Sequence, residues 1–270
     1  MTRSTNEVDS RFAGIQRLYT AEGMERLRLA KVCVVGIGGV GSWAVEALAR
    51  SGVGHITMVD LDEVCVSNIN RQLHALDGTV GLPKVTIMAE RIRAINPDCE
   101  AHAAQEFFNA ETADAILENP FDWVFDAVDQ VPNKCLLIAR CRERGIPVIS
   151  SGGAGGRKNP CEIQIADLAQ TTHDALLQQT RKRLRDEHGF AREPKALFNI
   201  PCVYSREPAM YPGGCEAGER INCDNGYGAA SFVTGAFGFV AASYIVSNIA
   251  EGEGLLSSLM DEQSAKNGRR

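Results

Sequence analysis

The phosphate-gripping pattern G-x-x-x-x-G-K-[ST] is missing from all 270 residues, which excludes a P-loop ATPase. No C-x-x-C pair occurs either. The nine cysteines are an odd number without framework spacing, and read as reduced cytosolic thiols that serve mostly as small core hydrophobes. An excess of basic charge is absent. With a net charge of −6 there is no global field to advertise nucleic acid, and any such contact has to come from a local patch. Met1 to Arg11 is polar and charged, not a hydrophobic leader, so the expectation is a cytoplasmic protein. Internal repeats and clear inter-domain linkers are lacking. One stretch, Asn225 to Ala250, has no charge at all and is long enough to span a bilayer. It is poor in Leu and rich in Ala, Gly and Ser, so it reads as a buried helix without stable membrane insertion.

What is present centres on Lys31 to Gly41, K-V-C-V-V-G-I-G-G-V-G. Val32 to Val35 is a short β-branched run that reads as a buried strand. Gly36, Gly38 and Gly41 follow as G-x-G-x-x-G, with Gly39 as an extra glycine. Val40, Trp43, Ala44, Ala47 and Leu48 then recur at helical spacing. Strand, glycine turn and helix bring backbone N–H groups and a helix N-terminus to a phosphate. A second strand, His55 to Val59, ends at Asp60, where an acid can meet a ribose hydroxyl. This much predicts a nucleotide-binding unit and leaves NAD, FAD and ATP open.

Along the chain, residues 1–30 read as an N-terminal helical arm, with its helix over Phe12 to Arg28. Residues 31–156 read as a nucleotide-binding part, and 157–270 as a C-terminal substrate and dimer part of the same domain. Leu61 to Pro83 is a long irregular connection of the kind that is usually functional. Pro83 opens a helix carrying Val85, Met88, Ile92 and Ile95 as its apolar stripe. Further strands are expected at Glu100 to Glu106, Trp123 to Asp126, Ile146 to Ser150, Glu162 to Ala166 and Cys202 to Ser205. Helices are expected at Ala110 to Glu118, Pro132 to Arg144, His173 to His188 and Gly228 to Ile249. The alternation predicts an α/β, Rossmann-like, doubly wound, mostly parallel sheet with an irregular C-terminal extension. Gly36, Asp60, Asp126 to Asp129 and Gly152 should then line one crevice.

Within that crevice the charged residues favour ATP over a dinucleotide. Arg71 and Lys84 place two cations beside the glycine turn, which suits a triphosphate. Asp129, just past the third confident strand, can hold Mg²⁺ between phosphates. Asn68 and Gln72 can hydrogen-bond phosphate or ribose. Each of these charges alone would read as a surface group; their joint placement favours a site. Arg181, Lys182, Arg183 and Arg185 form the densest basic cluster, with Arg157 and Lys158 nearer the crevice.

The ordered set G-I-G-G-V-G, D-L-D, S-N-I-N-R-Q, G-L-P-K and D-A-V-D resembles the ubiquitin-activating-enzyme-like superfamily over about Phe12 to Gly156. That resemblance implies an ATP site that adenylates a carboxylate. By position it implies that Gly41 approaches the phosphates, Asp60 binds ribose, Asn68, Arg71 and Lys84 contact phosphates, and Asp129 helps to hold Mg²⁺. It also implies a homodimer in which an arginine of the arm, best matched by Arg17, reaches the partner's ATP site. Members of the superfamily with two C-x-x-C pairs bind structural zinc, and this chain departs from that pattern. The second half reads S-S-G-G-A-G-G-R-K-N-P, C-V-Y-S-R-E and N-C-D-N-G-Y-G-A-A-S-F-V-T-G-A-F-G-F-V. With it the whole chain resembles the bacterial tRNA threonylcarbamoyladenosine dehydratases. The implied reaction is ATP-dependent activation of the threonyl carboxylate on a tRNA adenosine, followed by cyclisation with loss of water. Cys223 lies in a polar loop before a helix, where a thiolate could be stabilised; some members of the superfamily use such a cysteine for acyl or sulfur transfer. The alternative is therefore an activator of a ubiquitin-like or sulfur-carrier protein, or a sulfur acceptor from a cysteine desulfurase.

Overall fold

The computed structural model describes residues 10–193, 195–210 and 227–252. Its strands are β1 (Lys31–Val35), β2 (His55–Val59), β3 (Glu100–Ala104), β4 (Trp123–Asp126), β5 (Val148–Ser151), β6 (Ile163–Asp167) and β7 (Pro201–Ser205). They make one sheet in the order β3-β2-β1-β4-β5-β7-β6. Every pairing is parallel except that of β6 with β7. The order reverses at β1, so the crevice of this doubly wound sheet opens beyond the carboxyl ends of β1 and β4.

The helices are α1 (Ala13–Leu29), α2 (Gly41–Arg50), α3 (Lys84–Ile95), α4 (Ala113–Ile116), α5 (Val131–Arg144), α6 (Ala175–Glu187) and α7 (Ser231–Glu251). Alternate residues of β1 feed opposite faces, as the two-residue period of a strand requires. Val32 and Val34 join a core with Val45 and Leu48 of α2, Met88 and Ile92 of α3, and Phe237 and Ile245 of α7. Cys33 and Val35 join a second core with Ile138 of α5 and Leu177 and Leu184 of α6. Both faces are thus covered, which is why the central strands read as unbroken apolar runs.

Residues from both proposed halves build this one sheet, with β6 and β7 extending it beyond β5. The N-terminal helical arm is docked over its second half, where Gly23 and Leu27 are buried. It is kinked at Thr20 (φ 66°), and beyond the kink Arg26 donates to the Ile249 carbonyl at 3.1 Å and to that of Ala250. Tyr19 Oη lies 3.0 Å from Ser247 Oγ on α7. Of the described helices, α7 is long and apolar enough to cross a membrane, yet 56% of its apolar window is buried inside the fold. A Cβ on its Gly238 would stand 2.5 Å from the Val40 carbonyl and 2.8 Å from the Ala44 nitrogen, so α2 and α7 meet backbone to backbone.

Several boundaries differ from the sequence reading. The expected strand at Ile146 begins at Val148, because Gly145 (φ 67°) caps α5 in the left-handed region and Pro147 follows. The expected helix at His173 begins at Ala175, because the Asp174 side chain caps the Leu177 nitrogen at 3.0 Å. The helix of Ala110 to Glu118 shrinks to the four residues of α4.

Candidate nucleotide-binding site

The glycine turn links β1 to α2 at the carboxyl edge of the sheet. Gly36 adopts φ 92°, and a Cβ there would lie 2.7 Å from the Ala127 carbonyl of the β4 turn. Only glycine accommodates both that conformation and that approach. Gly38 has open space, the nearest atom to a Cβ being Gln72 Nε2 at 3.9 Å. Gly39 faces Arg71 and Thr234, and Gly41 backs onto Gly36. The turn therefore has one crowded side, toward β4, and one open side, toward Gln72.

Asp60 ties the second strand to this turn. Its Oδ2 accepts from the Ile37 N–H at 2.6 Å, and its Oδ1 accepts from the Asp62 N–H at 2.9 Å. Each carboxylate oxygen keeps a lone pair for a sugar hydroxyl. Lys84, at the start of α3, is 5% exposed and lies between two acids, 2.7 Å from Asp62 Oδ2 and 3.9 Å from Asp60 Oδ1. Asp62 belongs to the D-L-D pattern, but the sequence reading gave it no role.

The long connection after β2 folds as short 3₁₀ turns against the glycine turn. Asn68 is buried and its Oδ1 accepts from the Cys65 N–H at 3.0 Å, so it braces its own turn. The Arg71 carbonyl accepts from the Trp43 indole at 3.0 Å and the Thr234 hydroxyl at 3.1 Å. Its guanidinium is half-buried and donates to the Ser67 carbonyl at 2.6 Å and Asn70 Oδ1 at 3.0 Å. Backbone anchoring and side-chain charge are thus separate contributions of this residue.

His74, which sequence reasoning missed, is 2% exposed, with Nε2 2.8 Å from the Ile37 carbonyl. Burial first, and the nearby Lys84 charge next, hold its pKa below the ordinary imidazole value. Nε2–H therefore donates to the turn and Nδ1 is left as an acceptor. Among the described residues, that Nδ1 and the buried Gln72 Oε1 have no hydrogen-bond partner.

Asp129 is exposed on the loop after β4, where a carboxylate can meet a cation in solvent. The acid that organises this loop is Asp126. It is fully buried, with Oδ2 2.8 Å from Lys134 Nζ and 2.7 Å from Ser150 Oγ, and its Oδ1 accepts from the Val128 N–H at 3.1 Å. The two aspartates of D-A-V-D so divide into a buried brace and an exposed carboxylate.

Other sequence candidates fare differently. Arg17 is exposed on the first turns of α1. Cys223 and Cys215 lie outside the described residues. Cys202 is fully buried and burial pushes its thiol far up; Cys135 and Cys141 are pushed up to about 12 and Cys99 to about 11. Cys65 and Cys161 are the exposed thiols among the described residues. The basic cluster is largely engaged in the fold: Arg183 pairs with Glu187 at 2.8 Å, and Arg185 lies 5.1 Å over the Phe198 ring. Arg157 is 4% exposed and pairs with Asp174 at 3.2 Å. It is a buried brace rather than the surface cation expected near the crevice.

Comparison with known proteins agrees with this geometry. A family model described as the ThiF family matches residues 11–257. The tRNA threonylcarbamoyladenosine dehydratase of Haemophilus influenzae is 47% identical over 244 residues, 89% of this chain and 94% of that protein. The protein of the same name from Escherichia coli is 44% identical, over 87% of this chain and 91% of that one. A crystal structure of the E. coli tRNA N6-threonylcarbamoyladenosine dehydratase in complex with ATP matches with a TM-score of 0.82 at 43% identity, covering 90% of this chain and 96% of that chain. The chain belongs to the ThiF family, on the branch that carries the tRNA threonylcarbamoyladenosine dehydratases.

Proposed function

We propose that this chain is an ATP-dependent enzyme that dehydrates threonylcarbamoyladenosine in tRNA by adenylating its carboxylate and closing the ring. The observation that carries the reading is Asp60, bonded to the glycine turn on one side and 3.9 Å from the buried Lys84 ammonium on the other. An acid, a glycine turn and a cation in this arrangement suit the ribose and phosphates of one nucleotide.

A free carboxylate is a poor electrophile because its leaving group would be oxide. Transfer to the α-phosphate of ATP gives an acyl adenylate and pyrophosphate. The neighbouring carbamoyl group then attacks the acyl carbon, a proton is lost and AMP departs. The net change in the nucleoside is the loss of one water. Arg71 and Lys84 screen the repulsion between carboxylate and phosphates. The backbone N–H groups at Gly38, Gly39 and Gly41 take phosphate oxygens at the start of α2, while Gly36, whose N–H donates to the Val59 carbonyl at 2.9 Å, shapes the turn. Asp60 fixes the ribose, with Gln72 and the 68–72 turn beside it. Asp129 would hold Mg²⁺, which supplies further charge screening between phosphates. Ring closure is intramolecular, so it asks the chain mainly for orientation and exclusion of water.

The functional unit in this reading is a cytoplasmic homodimer. Arg17, exposed on the first helix, reaches the partner's nucleotide. Phe232 and Phe239 on α7 are 60% and 48% exposed, an apolar face suited to a second copy. The burial of α7 among α1, α2 and the sheet supports a role in the core rather than in a membrane. A cysteine desulfurase or sulfur-relay partner would act through Cys223, and no described residue favours that second reading.

Mass spectrometry of nucleosides from tRNA incubated with the protein tests the reaction. The expected result is the loss of one water from threonylcarbamoyladenosine with ATP and none without it. Unchanged nucleoside in the presence of ATP would refute it.

A further inference from the structure

A cleft of ≈ 560 Å³ opens beside the nucleotide site, over the carboxyl ends of β5 and β7. Its floor is the second glycine turn. The Gly153 N–H donates to Asp174 at 2.9 Å, and a Cβ on Gly152 would collide with that same carboxylate. The Gly156 N–H donates to the Gly228 carbonyl and the Gly156 carbonyl accepts from the Met210 N–H, both at 2.7 Å. A Cβ on Gly155 would lie 2.8 Å from Tyr227 Cβ, so a ring packs over the bare backbone. The turn is held from three directions, with Asp174 and Leu177 against Gly152 and the Tyr227 ring against Gly155 and Gly156, which leaves a fixed surface.

The walls expose more apolar than polar surface, and their net charge is positive. Arg157 is neutralised by Asp174, but Arg181 donates to the Leu168 carbonyl and the Thr171 hydroxyl, neither of which carries charge. The first turn of α6 contributes Ala175 and Gln178, both exposed, and Thr172 stands at the rim. None of these groups is used by the nucleotide site.

Topology fixes what lies next to what. Asp60 directly follows β2, so the ribose of the nucleotide belongs on the β2 side of the glycine turn. The cleft lies on the opposite side, past β4. Strands are spaced about 5 Å apart, so the ends of β1 and β5 are about 10 Å apart. That is the reach of a small acid-bearing arm attached to a nucleobase. We propose that this cleft, built on the turn Gly152–Gly156 and walled by Arg181, Gln178 and Tyr227, seats the ribonucleoside whose carboxylate is activated at the glycine turn of β1. The occupant is a nucleoside within an RNA strand. Its base packs against the Tyr227 ring that covers the turn, its polar edge meets Gln178 and Thr172, and the positive wall faces its backbone phosphates. This inference rests on the functional reading above.

Steady-state kinetics with tRNA carrying threonylcarbamoyladenosine tests it in two variants. Gln178→Ala removes one exposed amide and is expected to raise KM for the tRNA about tenfold, as the loss of one well-made hydrogen bond does. Ala175→Trp fills the cleft and is expected to abolish tRNA turnover. In both, affinity for a non-hydrolysable ATP analogue by calorimetry should match the unaltered protein. A wild-type KM for tRNA in both variants would overturn the cleft assignment. Failure of the unaltered protein to convert tRNA with ATP would instead sink the functional reading itself, so the two failures are distinguishable.

Discussion

The Lys134 ammonium lies 2.8 Å from the Asp126 carboxylate, and neither side chain is exposed to solvent. Ser150 completes the group, 3.2 Å from the ammonium and 2.7 Å from the carboxylate. One buried ion pair therefore joins the ends of β4 and β5 to α5. Through Val128 it also sets the turn that leads to Asp129. A buried pair gains little over an apolar replacement, but breaking it strands a charge.

Lys134→Met should therefore cost about 3–5 kcal/mol of stability, because it leaves Asp126 charged and unpaired. Adding Asp126→Asn should recover most of the loss. Urea unfolding of both variants reads this directly. A single-variant loss below about 1 kcal/mol, the scale of a surface pair, would show that water reaches the carboxylate after all.

Arg71→Ala and Lys84→Ala address the cations of the site. Arg71 anchors Trp43 and Thr234 through its backbone carbonyl, so truncating its side chain should leave the thermal midpoint nearly unchanged. ATP–pyrophosphate exchange should fall at least about a hundredfold in each variant, the scale of losing a group aimed at developing charge. Arg71→Ala exchanging pyrophosphate at the wild-type rate would remove that residue from the site.

His74 should make the fold sensitive to mild acid. Its folded pKa is depressed, chiefly by burial, below the ordinary value of 6.5. The unfolded imidazole takes up a proton near that value, while the folded one resists to lower pH. The stability contributed by neutral His74 is thus complete above about pH 6.5 and is lost as pH falls through the folded value. Unfolding free energies measured stepwise below pH 6.5 should decline, and His74→Asn should flatten that part of the profile. An equal decline in the variant would assign the effect to other groups.

The parts of the fold that could be read from sequence were those governed by short-range rules. Lys31 to Gly41 announced strand, turn and helix because its period changes from two to 3.6 across the glycines. Trp123 to Asp126 and the helix opened by Pro83 followed from the same kind of signal. The antiparallel turn of β6 onto β7 had no such mark, since an alternating run fits either direction. Arg157 misled for a different reason. A charged residue carries no sequence sign of burial, and Asp174, 17 positions away from Arg157, becomes its partner only through the topology. His74 and Lys134 were hidden in the same way. Asp62 was visible within D-L-D, but its pairing with Lys84 depends on how the long connection returns to α3.

The docking of α1 onto α7 has a consequence for how the molecule assembles. Tyr19 and Ser247 are 228 positions apart, and Arg26 and Ala250 224. During synthesis on the ribosome the leading helix must wait, its apolar side uncovered, until the trailing one emerges. The corner closes last and slowly, as contacts of high sequence separation do. A protease acting on nascent chains would find its easiest cut ahead of the sheet.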